Sequence, residues 1–260
     1  MPTKREMLAA VDGSPAAVAD HDKERWLSLF APTAVVNDPV GSAPHRGGAQ
    51  LSRFYDTFIA PNTVRFHVDH DIVCGDDVLR DLTLEIEMSD RVTLSVPAHL
   101  RYAMIADMRI DGLYAHWELP AMVAQLAGKG LPAAAVSGRL TVGLLGNQRL
   151  GGTVGFARGF LGVGGRTKRR AGELLAVLGA GDHANAAGEF TDDPTLRFGE
   201  ETLNSPAELG ARLAGWRPAG KTIAAGRIVS ATLTDGQSYA VAMLEYSGRR
   251  VSSVSVFVDC

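Results

Sequence analysis

Between Thr63 and Leu119 the chain runs through "TVRFHVDHDIV", "VLRDLTLEIEMS", "RVTLSVPAHLRYAMI" and "MRIDGLYAHWEL", separated only by "CGDD", "SD" and "AD". Connections that short cannot carry a crossover, so these stretches predict strands paired antiparallel. The second alternates most cleanly, with Leu82, Leu84, Ile86 and Met88 on one face and Thr83, Glu85 and Glu87 on the other. A sheet with one apolar face needs a cover, and helical patterns precede it. Met7 to Phe30 reads as helix broken near "DGSP", where Ser14 and Pro15 form an N-cap and first-turn pair. Trp26, Leu27 and Phe30 share a face, and "GGAQLSRFYDTFI" places Leu51, Phe54, Tyr55 and Phe58 on another helix. Helices followed by a curled antiparallel sheet predict an α+β fold.

The same order recurs. "GDHANAAGEFTDDPTLRF" (181–198) lies over "HDKERWLSLFAPTAVVND" (21–38) without a gap, matching Asp182 to Asp22 and Phe190 to Phe30. "SPAELGARLAGW" then mirrors the helix around Leu51, and "KTIAAGRIVSATL", "QSYAVAMLEYS" and "RRVSSVSVFVD" read as three strands. This order predicts a tandem repeat whose second copy lacks the final strand. Phe198 falls at the position of Asp38, so the second copy is expected to have no working pocket and to serve packing, on the middle segment or in a homodimer.

Between the copies, from Leu119 to Arg170, there is no acid, while Lys129, Arg139, Arg149, Arg158, Arg166, Lys168, Arg169 and Arg170 are basic and glycine is dense. The expected organisation is a first domain over 1–120, a Gly-rich basic connecting segment over 121–170 and a degenerate, truncated second domain over 171–260. The segment could lie on an anionic membrane surface or meet the acidic part of a CoA group, or be a solvated hairpin. The 260 residues carry a net charge of −3, which gives no reason to expect a nucleic-acid partner. Two cysteines without metal spacing, an N-terminus without an apolar core and the lack of a long apolar run fit a cytoplasmic protein.

"TAVVNDPVGSAPHRG" (33–47) sets one carboxylate, Asp38, among valines and directly before Pro39. Asp38 could shape an Asx-type turn, or be a base kept in an apolar pocket. "HVDHD" (67–71) would put His67, Asp69 and Asp71 on one strand face, with no further ligand to complete a metal site; a solvated rim is the expectation, with no metal and no cofactor.

The run "LFAPTAVVNDPVGSAPHRG", followed by "RFYDTF", resembles the bacterial ketosteroid isomerases of the NTF2-like (SnoaL-like) cone fold. The resemblance spans about residues 10 to 118 and is densest over 29–58. It implies two tandem NTF2-like cones with Asp38 as general base of the first, in a pocket of Phe30, Val40, Phe54, Leu82, Leu84 and Ile86. In ketosteroid isomerases a tyrosine and a protonated aspartate stabilise the oxyanion. Here the tyrosine position falls on Ser14, and the aspartate aligns with His99 in Pro97-Ala98-His99. His99 is therefore expected to donate instead, with Tyr114 and His116, spaced i,i+2, lining the same cavity. Tyr55 resembles the family tyrosine that supports the donors. The implied activity is a double-bond shift in an apolar ketosteroid-like molecule by Asp-mediated proton transfer. The alternatives are a non-catalytic carrier of apolar ligands and a polyketide-cyclase-like or epoxide-hydrolysing relative.

Overall fold

In the computed structural model, which describes residues 2–130, 162–182 and 186–259, helix α1 (Lys4–Ala19) starts at a capping box of Thr3 and Glu6. It does not break at "DGSP". Buried Met7, Val11, Ser14 and Val18 recur at i, i+4, i+7 and i+11, so one stripe crosses Pro15. An interior proline costs about 3 kcal/mol, and the packing of that stripe outweighs it. Ser14 is thus an interior, buried residue and not an N-cap.

After α2 (Lys23–Ser28) come β1 (Phe30–Asn37), β2 (His45–Arg46) and α3 (Gly47–Phe54), which runs into a π turn over Tyr55–Ile59. Strands β3 (Thr63–Cys74), β4 (Asp77–Ser89), β5 (Val92–Met104) and β6 (Ile110–His116) follow, then α4 (Leu119–Gly128). The sheet order is β2-β1-β6-β5-β4-β3. The pairs β4–β5 and β5–β6 are antiparallel as expected, β1–β2 is also antiparallel, and β1 runs parallel to β6.

The chain divides into two compact units, the first before Gly162 and the second almost wholly from Gly162 onward. The second holds α5 (Gly165–Gly179), β7 (Phe190–Phe198), β8 (Glu201–Leu203), α6 (Pro206–Leu213), β9 (Arg217–Ala225), β10 (Ile228–Thr234), β11 (Tyr239–Ser247) and β12 (Arg250–Val258). Its order, β8-β7-β12-β11-β10-β9, repeats the first sheet strand for strand. The expectation of a missing strand is therefore corrected. "KTIAAGRIVSATL" is two strands, β9 and β10, folded back at Gly226, whose φ of 56° suits a tight turn. Even the irregularities coincide: β1 meets β6 at Phe30–Ile110 and then shifts to Val35–Gly112, and β7 meets β12 at Phe190–Val251 and then shifts to Thr195–Ser253. The two units share one fold. The basic run Arg166–Arg170 belongs to α5, so it opens the second unit. Of residues 121–170, where the membrane-surface and CoA contacts were expected, 131–161 lie outside the described residues. Among those described, no helix is long and apolar enough to cross a membrane.

One glycine in the second unit is fixed by contact. A Cβ on Gly179, at the end of α5, would lie 1.9 Å from the Trp216 carbonyl oxygen, and Gly215 N–H donates to the Gly179 carbonyl at 3.0 Å. Gly179→Ala is expected to destabilise this unit by about 3 kcal/mol. Gly172→Ala, in the same helix with open space around it, should stabilise by up to about 1 kcal/mol. Thermal unfolding of the two variants checks both signs.

Candidate active site

Asp38 is the first residue past β1, and the turn after it is tightly held. The Asp38–Pro39 peptide is cis, Val40 N–H donates to the Ala115 carbonyl at 2.8 Å, and Ser42 Oγ donates to the Pro39 carbonyl at 2.6 Å. The Asp38 carboxyl lines a cavity of about 130 Å³, roughly ten times the space one water needs. Trp117, just beyond β6, donates its indole N–H to Asp38 Oδ1 at 2.6 Å. Burial pushes the Asp38 pKa up to about 6, and the Trp117 hydrogen bond holds it from rising further. Asp38 is the one carboxylate among the lining residues.

The remaining walls are mostly apolar. Val18 and Trp26 come from α1 and α2, Phe54, Phe58 and Ile59 from α3 and its π turn, and Leu84, Ile86 and Met88 from β4. Leu100 and Tyr102 of β5 close the far side, and Met122 of α4 also reaches the cavity. Among the expected pocket residues, Phe54, Leu84 and Ile86 line it. Phe30, Val40, Tyr55 and Leu82 are buried but do not form its wall. The Phe30 and Tyr55 rings pack on Trp26 at 4.5 and 5.5 Å between centroids. The Tyr55 hydroxyl is buried with no hydrogen-bond partner, so it does not support a donor network.

The expected donors are on the wrong side. Along β5, buried Leu94, Val96, Ala98, Leu100 and Tyr102 alternate toward the helices, and His99 lies between them on the opposite face. Tyr114 and His116 alternate with Leu113, Ala115 and Trp117 in the same way. A one-residue offset in register flips every side chain, so Leu100 faces the cavity where the resemblance had set His99. Instead His99 sits opposite Asp81 on β4 and His116 on β6, at 3.7 Å from the Asp81 carboxylate. Burial first, then the charges of His99 and Arg101, push the His116 pKa down to about 3, and its Nδ1 has no partner. The Arg101 guanidinium lies over the Tyr114 ring at 5.3 Å. "HVDHD" is split between two ion-pair groups: His67 faces Glu85 at 3.4 Å, and Asp71 meets the Arg80 guanidinium at 2.9 Å.

The cavity's polar residues that the sequence reading missed are Trp117, Tyr102, Asn62 and Ser14 in its present role. The Trp26 indole N–H donates to Ser14 Oγ at 3.2 Å, and Ser14 lies beside the Tyr102 hydroxyl and favours its ionised form. Alternation along "VTLSVPAHLRYAM" from Leu94 was the available signal for Tyr102. In the second unit, the register equivalents of Asp38 and Trp117 are Phe198 and Val258, both packed against that unit's hydrophobic core. The carboxylate and its indole donor are replaced there by an apolar pair.

Residues 11–117 match the family model of the SnoaL-like domain. The chain is similar to the Δ5-3-ketosteroid isomerase of Mycobacterium sp., at 30% identity over 45% of this chain and 96% of that one, with a TM-score of 0.43. It is also similar to a Mycobacterium tuberculosis protein solved in complex with estradiol-17β-hemisuccinate, at 26% identity over 44% and 95%, with a TM-score of 0.42. An LEH-like epoxide hydrolase of M. tuberculosis is 18% identical over 52% and 99%, with a TM-score of 0.44. Through the domain built by residues 11–117, this chain belongs to the SnoaL-like family of NTF2-like proteins.

Proposed function

We propose that the first domain moves a double bond into conjugation with a ketone in a flat apolar molecule of steroid type. One observation carries this reading: a lone carboxylate, Asp38, on the wall of an otherwise mostly apolar cavity, with burial raising its pKa to about 6. A base poised near neutrality removes a weakly acidic proton best when it is kept dry and close. Asp38 takes the proton from the carbon between carbonyl and double bond. The C–H electron pair forms the new double bond of a dienolate, and the negative charge moves to the ketone oxygen. The same carboxyl then returns the proton to the far carbon of the old double bond and is again a carboxylate. The resemblance of residues 29–58 to ketosteroid isomerases supports the substrate class.

The test is to mix the protein with a β,γ-unsaturated 3-ketosteroid and follow conjugated-enone absorbance. We expect turnover whose kcat/KM rises with pH to a midpoint near 6 and is flat above it, since only the carboxylate accepts the proton. Trp117→Phe removes the bond that restrains the Asp38 pKa, so the midpoint should move upward. Absence of enone formation above background would sink the reading. Ligand carriage is the second reading. It is favoured by the placement of His99, Tyr114 and His116 away from the cavity, and steroid binding without turnover would decide for it.

A further inference from the structure

We infer that Tyr102 is the hydrogen-bond donor to the substrate's carbonyl oxygen, with Ser14 and Trp26 as the positioning residues that aim its proton. This rests on the proton-transfer reading above. It starts from a chemical deficit: moving charge onto a ketone oxygen in a cavity this apolar needs a preorganised donor near that oxygen. The position where ketosteroid isomerases carry a helix tyrosine holds Ser14, and the donors expected on β5 and β6 face away. Tyr102 brings a hydroxyl to the same wall from the strand instead of the helix.

The direction of the hydrogen bonds follows from the chemistry of the three groups. An indole N–H only donates, so Ser14 Oγ accepts from Trp26. Ser14 then has one proton to give, and the Tyr102 oxygen beside it on the cavity wall is the group it can give it to. A ketone oxygen only accepts. With substrate bound, the arrangement that satisfies every group is Trp26 to Ser14 to Tyr102 to carbonyl, and such chains polarise one another along their length.

Electrostatics on both sides of Tyr102 support the role. Arg80, buried on β4 and held by Asp12 and Asp71, places a cation near the hydroxyl and favours loss of its proton. Burial and the Asp38 carboxylate work the other way and push the Tyr102 pKa up to about 12. When Asp38 takes the proton its charge disappears, and negative charge grows on the oxygen that Tyr102 faces. The hydroxyl thus becomes a stronger donor at the step that needs one. Its proton stays on Tyr102 throughout, so the transfer through Asp38 remains balanced.

The experiment separates this proposal from the isomerase reading by using a probe that cannot react. The infrared C=O stretch of a bound saturated 3-ketosteroid with an isotope-labelled carbonyl is recorded in the full chain, in Tyr102→Phe and in Ser14→Ala. The wild type should lower the stretch relative to an apolar solvent. Tyr102→Phe should restore it, and Ser14→Ala should restore it partly while leaving affinity for the probe within about twofold. In turnover, Tyr102→Phe should lose about 100- to 1,000-fold in kcat with little change in KM. Asp38→Asn should keep the lowered stretch. A probe that fails to bind, an unshifted wild-type band, or a band or kcat unchanged by Tyr102→Phe overturns the proposal. If the band behaves as expected but the wild type forms no enone, the Tyr102 contact stands and the isomerase reading falls.

Discussion

Asp38→Asn will lose about 1,000-fold or more in kcat, on the scale a positioned general base contributes, and will at the same time make the first domain more stable. The first effect follows from chemistry: an amide has no basic oxygen at working pH. The second follows from linkage. The folded pKa of Asp38, about 6, lies above its ordinary 3.8, so the folded chain binds protons more readily than the unfolded one between those values. The stabilisation of the protonated form is present below pH 3.8 and is lost as pH rises through 6. At pH 8 the ionised carboxylate therefore costs the fold about 3 kcal/mol, and the neutral amide removes that cost. Asn keeps the shape and can still accept from the Trp117 indole, so steroid affinity should persist. Denaturant unfolding at pH 8 and at pH 4 checks it, with the gain at pH 8 shrinking toward zero at acid pH. Equal stability of the two proteins at pH 8 would mean that Asp38 is not held in a desolvated site.

Much of the fold was legible because its strongest signal is local. Alternation such as Leu82-Leu84-Ile86-Met88 marks a strand whatever lies around it, and the four strands β3 to β6 are legible from such patterns. The failures came where distant contacts outweigh local preference. Ser14-Pro15 is a good helix start in isolation, but the buried stripe from Met7 to Val18 carries α1 straight through it. "KTIAAGRIVSATL" contains no strong turn pair beyond a single glycine, so one strand was read where the chain folds back into two.

The site divides along the same line. Asp38 was visible as an acid among valines beside a proline, and its cavity position agrees with that. The resemblance sets the donors by their position along the chain, and one residue of offset on a strand moves a side chain to the other face of the sheet. His99 and Tyr102 differ by three positions, an odd number, and so lie on opposite faces. Reading the parity of β5 from its apolar residues would have turned Tyr102 inward. Trp117 could not be assigned from sequence, because its bond to Asp38 joins residues 79 positions apart.

Acid will weaken the first domain through His116, by up to about 5 kcal/mol between pH 6.5 and 3. Its imidazole is buried on the outer face of the sheet, with His99 opposite on β5 and the Arg101 charge nearby. The folded pKa is about 3 against an ordinary 6.5, so between these values the unfolded chain binds a proton that the folded chain refuses. The stability contributed by the neutral ring is complete above pH 6.5 and is lost as pH falls toward 3, at a slope near one proton. The second unit indicates which replacement should remove the effect, since its register equivalent of His116 is Phe257, also buried. Amide hydrogen exchange over β5 and β6, compared between wild type and His116→Phe, isolates this group, because Asp38 contributes equally to both and cancels. The difference in protection should grow steadily from pH 6.5 to 4 in favour of the phenylalanine variant. Parallel pH profiles would mean that His116 protonates freely in the fold, and that the imidazole on this face is not held neutral by its burial.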